Sequence, residues 1–274
     1  MRWKYKFFSI IVYKVLSLIP FRKYLHILKS RSYTQQRTLY YTQNAERVNA
    51  IANMLADEKS KESYLGVIKY RQTYNKKDYP VTSDETQYFI KELKLDKDEV
   101  FIDCGAFTGD TISNFLKYCP EYKQIVAFEP DSKNFQKLKK TWRYPKITLI
   151  NAGIYNKNGE ISFSEHGNGD SKIIENLNSP NTKNIQVMAI DNLNLEKVSF
   201  IKMDIEGVEL EALKGAKNTI IKDKPKLAIC IYHSDEDMLN IAEFIYNSNP
   251  EYKFYVRHHH YYPFINETVL YALP

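Results

Sequence analysis

Between Val100 and Tyr246, short apolar runs alternate with amphipathic stretches, and this alternation constrains the fold more than any other feature of the chain. Val100–Asp103, Gln124–Phe128, Ile147–Ile150, Val198–Met203 and Lys226–Tyr232 read as strands. Thr111–Tyr118, Ser132–Trp142, Val208–Ile221 (closed by Pro225) and Asp235–Tyr246 read as helices between them. Tyr252–Arg257 and Thr268–Ala272 look like a closing antiparallel pair. Strands and helices joined by short connections predict an α/β fold with a doubly wound, mostly parallel sheet. Ligands of such sheets bind at the carboxyl ends of the strands. Residues 151–195 break the rhythm. There NKNGE (156–160) predicts a hairpin turn before a strand at Ile161–Phe163, with another strand at Ile185–Ala189.

The chain ahead of this region is different. Residues 1–45 carry nine Lys or Arg and no acid, while the whole chain is +6, so the remainder is −3. Positive charge therefore belongs to the arm and not to the body. The opening MRWKYKFFSIIVYKVLSLIPF is shorter than the ~20 apolar residues of a membrane span and is interrupted by Lys14. Pro20-Phe21 offers no signal-peptide cleavage site. Two readings stay open: a basic helix packed on the domain, or peripheral contact of residues 1–45 with an anionic inner membrane face. No nucleic-acid recognition motif accompanies the cations. Glu46–Tyr74 has helical spacing, NKKDYP (75–80) reads as a linker, and Glu85–Leu93 as a short lead-in helix. The expected organisation is a helical region at 1–80 and a Rossmann-like domain at 81–274. Three cysteines without a C-x-x-C spacing point to a reducing, cytoplasmic setting.

The first strand runs into Asp103-Cys104-Gly105-Ala106-Phe107-Thr108-Gly109-Asp110, ahead of the first helix. Glycine at such a turn permits close approach of the backbone to a ligand. A dinucleotide site uses G-x-G-x-x-G to seat a pyrophosphate, whereas this turn is G-x-x-x-G with an acid on each flank. Carboxylates repel a pyrophosphate and suit an ammonium or sulfonium. The second strand ends in Phe128-Glu129-Pro130-Asp131, and an acid at that tip commonly binds ribose hydroxyls. A nucleoside with a cationic tail fits both features, and S-adenosylmethionine is the usual one.

Four motifs occur in order: DCGAFTGDT, AFEPD, NAGIYNKNGEISF and FIKMDIEGVELEALKGA. With them the chain resembles the FkbM family of S-adenosylmethionine-dependent methyltransferases from about Val100 to about Ala272; LADEKSKESY (55–64) resembles the helical lead-in of bacterial members. The resemblance implies a class I methyltransferase-like fold and methyl transfer to a hydroxyl, often on sugars or polyketide-type products. It also implies positions. Asp103, Gly105 and Gly109 would surround the amino acid part of the cofactor, Glu129 would bind the ribose, and Asn151 would lie near the adenine. Lys202, Asp204, Glu206 and Gly207 match the motif at the mouth of the site, where Asp204 would also touch the cofactor. Asp191 would brace the hairpin insertion.

A sugar hydroxyl is too weak an acid to ionise near neutral pH, so a base or a metal must help it. Asp204, Glu206 and His233 gather after the fourth and fifth strands. His233 is the expected base, with Asp204 and a neighbouring carboxylate holding Mg²⁺ as an alternative; helix capping is the structural reading of both residues. His258-His259-His260 is unsuited to zinc, since consecutive strand residues face opposite ways. A surface or substrate-facing loop, lining an acceptor pocket with Tyr261 and Tyr262, is expected instead. Cys104 is expected to be a small buried residue of the turn. The expected activity is O-methylation of a sugar or glycan precursor. The alternatives are a non-catalytic S-adenosylmethionine-binding scaffold attached to a membrane or partner, and a nicotinamide-dependent oxidoreductase, which the glycine spacing disfavours.

Overall fold

The computed structural model describes residues 34–164, 172–173 and 182–274. Helical residues 34–43 lead into α1 (Ala45–Met54) and α2 (Glu58–Thr73). The body follows as β1 (Val100–Cys104), α3 (Asp110–Tyr118), β2 (Gln124–Phe128), α4 (Ser132–Thr141) and β3 (Ile147–Ile150). The insertion holds β4 (Gly153–Ile154), β5 (Gly159–Ser164), β6 (Lys172–Ile173) and β7 (Thr182–Met188). Then come β8 (Phe200–Met203), α5 (Glu209–Lys214), α6 (Lys217–Asp223), β9 (Lys226–Cys230), α7 (Asp237–Ser248), β10 (Lys253–His258) and β11 (Thr268–Leu273).

The main sheet has seven strands in the order β10-β11-β9-β8-β1-β2-β3. Neighbours from β9 to β3 pair in parallel, and β11 runs antiparallel to both β9 and β10. The order reverses beside β1, so the turn leaving β1 opens at the switch point where such sheets bind ligands. All five residues of β1 are buried, as befits a strand covered on both faces. One apolar cluster joins Ile102, Ile201, Ile229 and Leu239 to Val48, Ile51, Tyr64 and Val67 of α1 and α2. The other face is filled by Phe101, Phe115, Phe200 and Tyr271. The boundary expected near Pro80 therefore divides stretches of chain that share one core.

Several expectations are corrected by tertiary contacts. Glu85–Leu93 forms no helix: Tyr88 sits at φ 69, its N–H donates to the Tyr271 hydroxyl, and Phe89 and Ile90 turn into the core. The single helix expected over Val208–Ile221 is two, broken at Gly215, where a Cβ would lie 2.2 Å from the Tyr155 carbonyl oxygen. Glu46–Tyr74 also divides, because Leu55 bridges to Phe254 and Asp57 caps α2 by accepting from Ser60 N at 2.7 Å. The linker at 75–80 contains a 3₁₀ turn, Lys76–Asp78. Asp191 braces α6 rather than the insertion, accepting from Asn218 N and Thr219 N at 3.0 and 2.8 Å. Among the described residues no helix is long and apolar enough to cross a membrane. Most of the basic arm, residues 1–33, and much of the insertion's far end, residues 165–171 and 174–181, lie outside the described residues.

Candidate active site

The turn after β1 folds across the tip of β2. Gly105 N and Ala106 N donate to the Phe128 carbonyl at 3.0 and 2.9 Å. Phe107 N then donates to one Glu129 carboxylate oxygen at 2.8 Å, and Asp131 N to the other at 2.9 Å. Glu129 is thus held by two backbone N–H groups, one of them from the glycine turn. Burial pushes its pKa up, and the two N–H groups act against that rise. Asn151 Nδ2 donates to the Glu129 and Pro130 carbonyls at 2.8 and 3.2 Å, so it fastens the same tip from β3.

Gly105 and Gly109 adopt φ of 78° and 90°, as a turn of this kind needs. The room they leave is taken by the protein itself. A Cβ on Gly105 would lie 2.0 Å from the Asp204 carbonyl oxygen, and one on Gly109 1.9 Å from the Trp142 indole nitrogen. The close approach expected toward a ligand is therefore an approach of the turn to β8 and α4. Asp103 needs a similar correction. Its carboxylate is fully buried, 3.1 Å from Lys202 Nζ, its register partner on β8. Lys202 Nζ also donates to the Cys104 and Gly105 carbonyls, at 3.2 and 2.8 Å. Burial works against the Lys202 ammonium, but Asp103 and Asp204 outweigh it and hold the lysine pKa above its usual value. Asp103 thus acts on the turn through Lys202, its carboxylate closed off from the surface.

Asp204 follows β8 and carries two phenol donors. Tyr88 donates to Oδ2 at 2.8 Å and Tyr232 to Oδ1 at 3.1 Å. Burial works to raise the Asp204 pKa, but Lys202, His233 and these two hydroxyls keep it below the usual range. His233, after β9, stands among three carboxylates. Nδ1 is 3.1 Å from Glu209, and Nε2 is 3.6 Å from Asp204 and 3.7 Å from Glu206. Burial disfavours the charged ring, but Glu209 above all, then Asp204 and Glu206, lift its pKa to about 9. Set among these carboxylates, the ring holds its proton more tightly than an ordinary histidine, which counts against the role of base expected for it. Glu206 holds the rim, its side chain 58% exposed and its backbone at φ 61.

Donor atoms of Asp204, Glu209 and His233 lie within 4.8 Å of one another. Asp204 takes two hydroxyl protons and Glu209 Oε1 takes Ile205 N at 2.8 Å, while Glu209 Oε2 and both ring nitrogens of His233 are buried without a hydrogen-bond partner among the described residues. Mg²⁺ prefers a nearly octahedral shell of oxygens with several waters, which this arrangement does not fit.

The loop bearing His233 is clamped by the N-terminal helices. Arg71 is fully buried and donates to the Tyr232 and Ser234 carbonyls and, at 2.7 Å, to Asp235. Arg37 and Tyr41 reach the same Asp235 carboxylate at 2.9 and 2.8 Å. His258 is not on a surface loop: it is buried between the Tyr79 and Thr268 hydroxyls, and burial depresses its pKa to about 3. His259 meets the Tyr271 hydroxyl at 2.9 Å. Tyr261 and Tyr262 are exposed, and Tyr262 packs edge-on against Tyr70 and Tyr79. Cys104 is fully buried and free.

Sequence reasoning did not anticipate Tyr88, Glu209, Tyr232 or Glu267. Glu267 enters the site from the antiparallel strand, whose first residues pair with the end of β9. Glu209 carried a faint signal as an acid two residues after Gly207, at a helix start. Four of the non-glycine residues with positive φ among those described, Tyr88, Phe107, Glu206 and Glu267, surround this site. Such backbone strain concentrates at functional centres.

The chain is similar to known methyltransferases. The profile of the methyltransferase FkbM domain matches residues 103–261. The 2-O-methyltransferase NoeI of Sinorhizobium fredii is 24% identical over 58% of this chain and 73% of its own. The hexuronic acid methyltransferase AglP of Haloferax volcanii is 26% identical over 52% of this chain and 65% of its own. The crystal structure of the methyltransferase FkbM from Methylobacillus flagellatus superposes with a TM-score of 0.73 at 28% identity, over 85% of this chain and 60% of that one. With the domain profile spanning more than half of its length, this chain belongs to the FkbM methyltransferase family.

Proposed function

We propose that this chain transfers a methyl group from S-adenosylmethionine to a hydroxyl of a sugar, on a glycan or glycan precursor. The observation that carries this is the Glu129 carboxylate, held by Phe107 N and Asp131 N where the β1 turn meets the tip of β2. An acid so placed takes ribose hydroxyls. Lys202, beneath the turn, is spent on Asp103 and on two carbonyls, so it makes no cradle for a diphosphate. Two relatives bear the names of a 2-O-methyltransferase and a hexuronic acid methyltransferase, which supports a sugar acceptor.

When bound, S-adenosylmethionine supplies an electrophilic methyl on a positively charged sulfur. The chain's own residues must align the acceptor oxygen with that methyl, and such alignment is worth up to ~7–11 kcal/mol. Glu129 and Asn151 would hold the nucleoside side. Asp204, Glu206 and the His233 imidazolium would form the opposite wall, with the exposed rings of Tyr261 and Tyr262 offering the acceptor an apolar face. A scaffold without chemistry would have no use for a carboxylate given two phenol donors and a neighbouring imidazolium.

Methyl-labelled cofactor, offered with hexuronosides and neutral hexosides, tests the activity. Label appearing on a sugar hydroxyl is expected, and no transfer to either class removes the proposed acceptor. Glu129→Ala is expected to weaken cofactor binding roughly tenfold or more, as loss of a charged hydrogen-bond partner does; wild-type affinity would mean that the ribose is held elsewhere.

The basic arm is proposed to bring the enzyme to an anionic membrane at its cytoplasmic face. Because Arg37 and Tyr41 hold Asp235, the informative truncation begins at residue 34. The full chain should sediment with anionic liposomes and the truncated chain should not. Equal partitioning would eliminate the arm as an anchor.

A further inference from the structure

Glu267 is the acidic residue whose surroundings the reaction has so far left unused. It sits at φ 65 at the entrance to β11, and its carbonyl accepts from His259 N at 2.8 Å. Its carboxylate takes one N–H of Gln87 through Oε2. The same Gln87 amide donates to the Tyr88 hydroxyl at 2.9 Å, which in turn donates to Asp204 at 2.8 Å. Glu267 is thereby wired to the proposed acceptor wall. It also lies beyond residue 261, where the family match ends.

We propose that Glu267 is the general base that removes the proton of the acceptor hydroxyl, with Gln87 fixing its carboxylate and Tyr88 linking it to Asp204. This inference rests on the reading of the site as a hydroxyl methyltransferase. The proton passes from the acceptor oxygen to Glu267 Oε1. The acceptor oxygen forms its bond to the methyl carbon as the carbon–sulfur bond breaks, and the sulfur keeps the electron pair. The proton is then lost to water, which restores the carboxylate.

The other candidates at the site are less suited. His233 holds its proton more tightly than an ordinary histidine. Asp204 has both oxygens taken by phenols and is held a weaker base than usual. Glu206 lies 58% exposed on the rim. Burial first, then the Asp204 carboxylate, raises the Glu267 pKa to about 7, against the pull of Gln87, His233 and Lys202. Tyr88, Tyr232 and Cys230 also face it. A base with its pKa near the working pH combines a populated carboxylate with useful proton affinity.

The test uses the full chain and Glu267→Gln, which keeps the size of the side chain and an oxygen for Gln87. Calorimetry should show S-adenosylmethionine binding to both forms alike. Methyl transfer to a hexuronoside should fall by about 10²–10⁴-fold in the variant. Wild-type kcat/KM should rise with pH through about 7, and that limb should vanish in Glu267→Gln. Wild-type rates with an unchanged pH limb in the variant would overturn the proposal. A second arm needs no acceptor: in chain labelled with carbon-13 at the glutamate carboxyls, one resonance should titrate near pH 7 and be missing from Glu267→Gln. If no such resonance distinguishes the two, Glu267 is not the base. Should the wild type modify no hexuronoside, the acceptor class fails on its own, and the titration still decides the role of Glu267.

Discussion

Gly105→Ala is expected to unfold at markedly lower urea than the wild type, with a loss of about 2–5 kcal/mol. Two effects add. The residue sits at φ 78, a left-handed conformation that costs an L side chain about 1–2 kcal/mol. The new methyl would also lie 2.0 Å from the Asp204 carbonyl oxygen, which is backbone and cannot swing aside as a side chain can. Overpacking of this kind costs about 1–3 kcal/mol. Relief by moving the turn would break the Phe107 N bond that aims Glu129, and relief by moving β8 would displace Asp204. Gly153→Ala serves as the contrast. Its methyl would meet Val187 and Ile185 at 3.4 and 3.5 Å, ordinary contact distances, so a change within about 1 kcal/mol is expected. Equal unfolding midpoints for the two variants would show that the turn is not pressed against β8.

His233→Gln is expected to remove a pH-dependent share of stability. The His233 pKa lies at about 9 in the folded chain against an ordinary 6.5, a difference worth about 3 kcal/mol. The folded state binds the proton more tightly. The stabilisation is therefore complete below about pH 6.5 and fades as pH rises through about 9. Urea unfolding of wild type and variant should differ most near pH 6 and converge above pH 9. A constant difference across that range would mean that the ring is neutral when folded. Turnover should also be lost while cofactor affinity survives, because Asp204, Glu206 and Glu209 would face one another without a counter-charge.

The central sheet was legible because its strands are apolar runs with sharp boundaries, such as Val100–Cys104 between Glu99 and Gly105. The place of Glu129 was legible because it directly follows one of those strands. What was hidden depends on contacts distant in sequence. Nothing near Tyr88 announces that its backbone will turn left-handed beneath Tyr271, so a helix was expected there. Gly215 reads as an ordinary helix residue until Tyr155 is seen against it. Glu267 shows no local pattern, and only the antiparallel entry of β11 brings it beside Asp204. The tightly held proton of His233 has the same origin: a histidine after a strand suggests a base, but three carboxylates drawn from the segment that follows β8 favour its charged form.

The whole account depends on the cleft between the β1 turn and Glu129 accepting a cationic nucleoside. Isothermal titration of the full chain with S-adenosylmethionine, S-adenosylhomocysteine and NAD tests this most directly. Saturable binding of the first two, with no heat from NAD, is the predicted result. Saturable binding of NAD with none of the other two would contradict it.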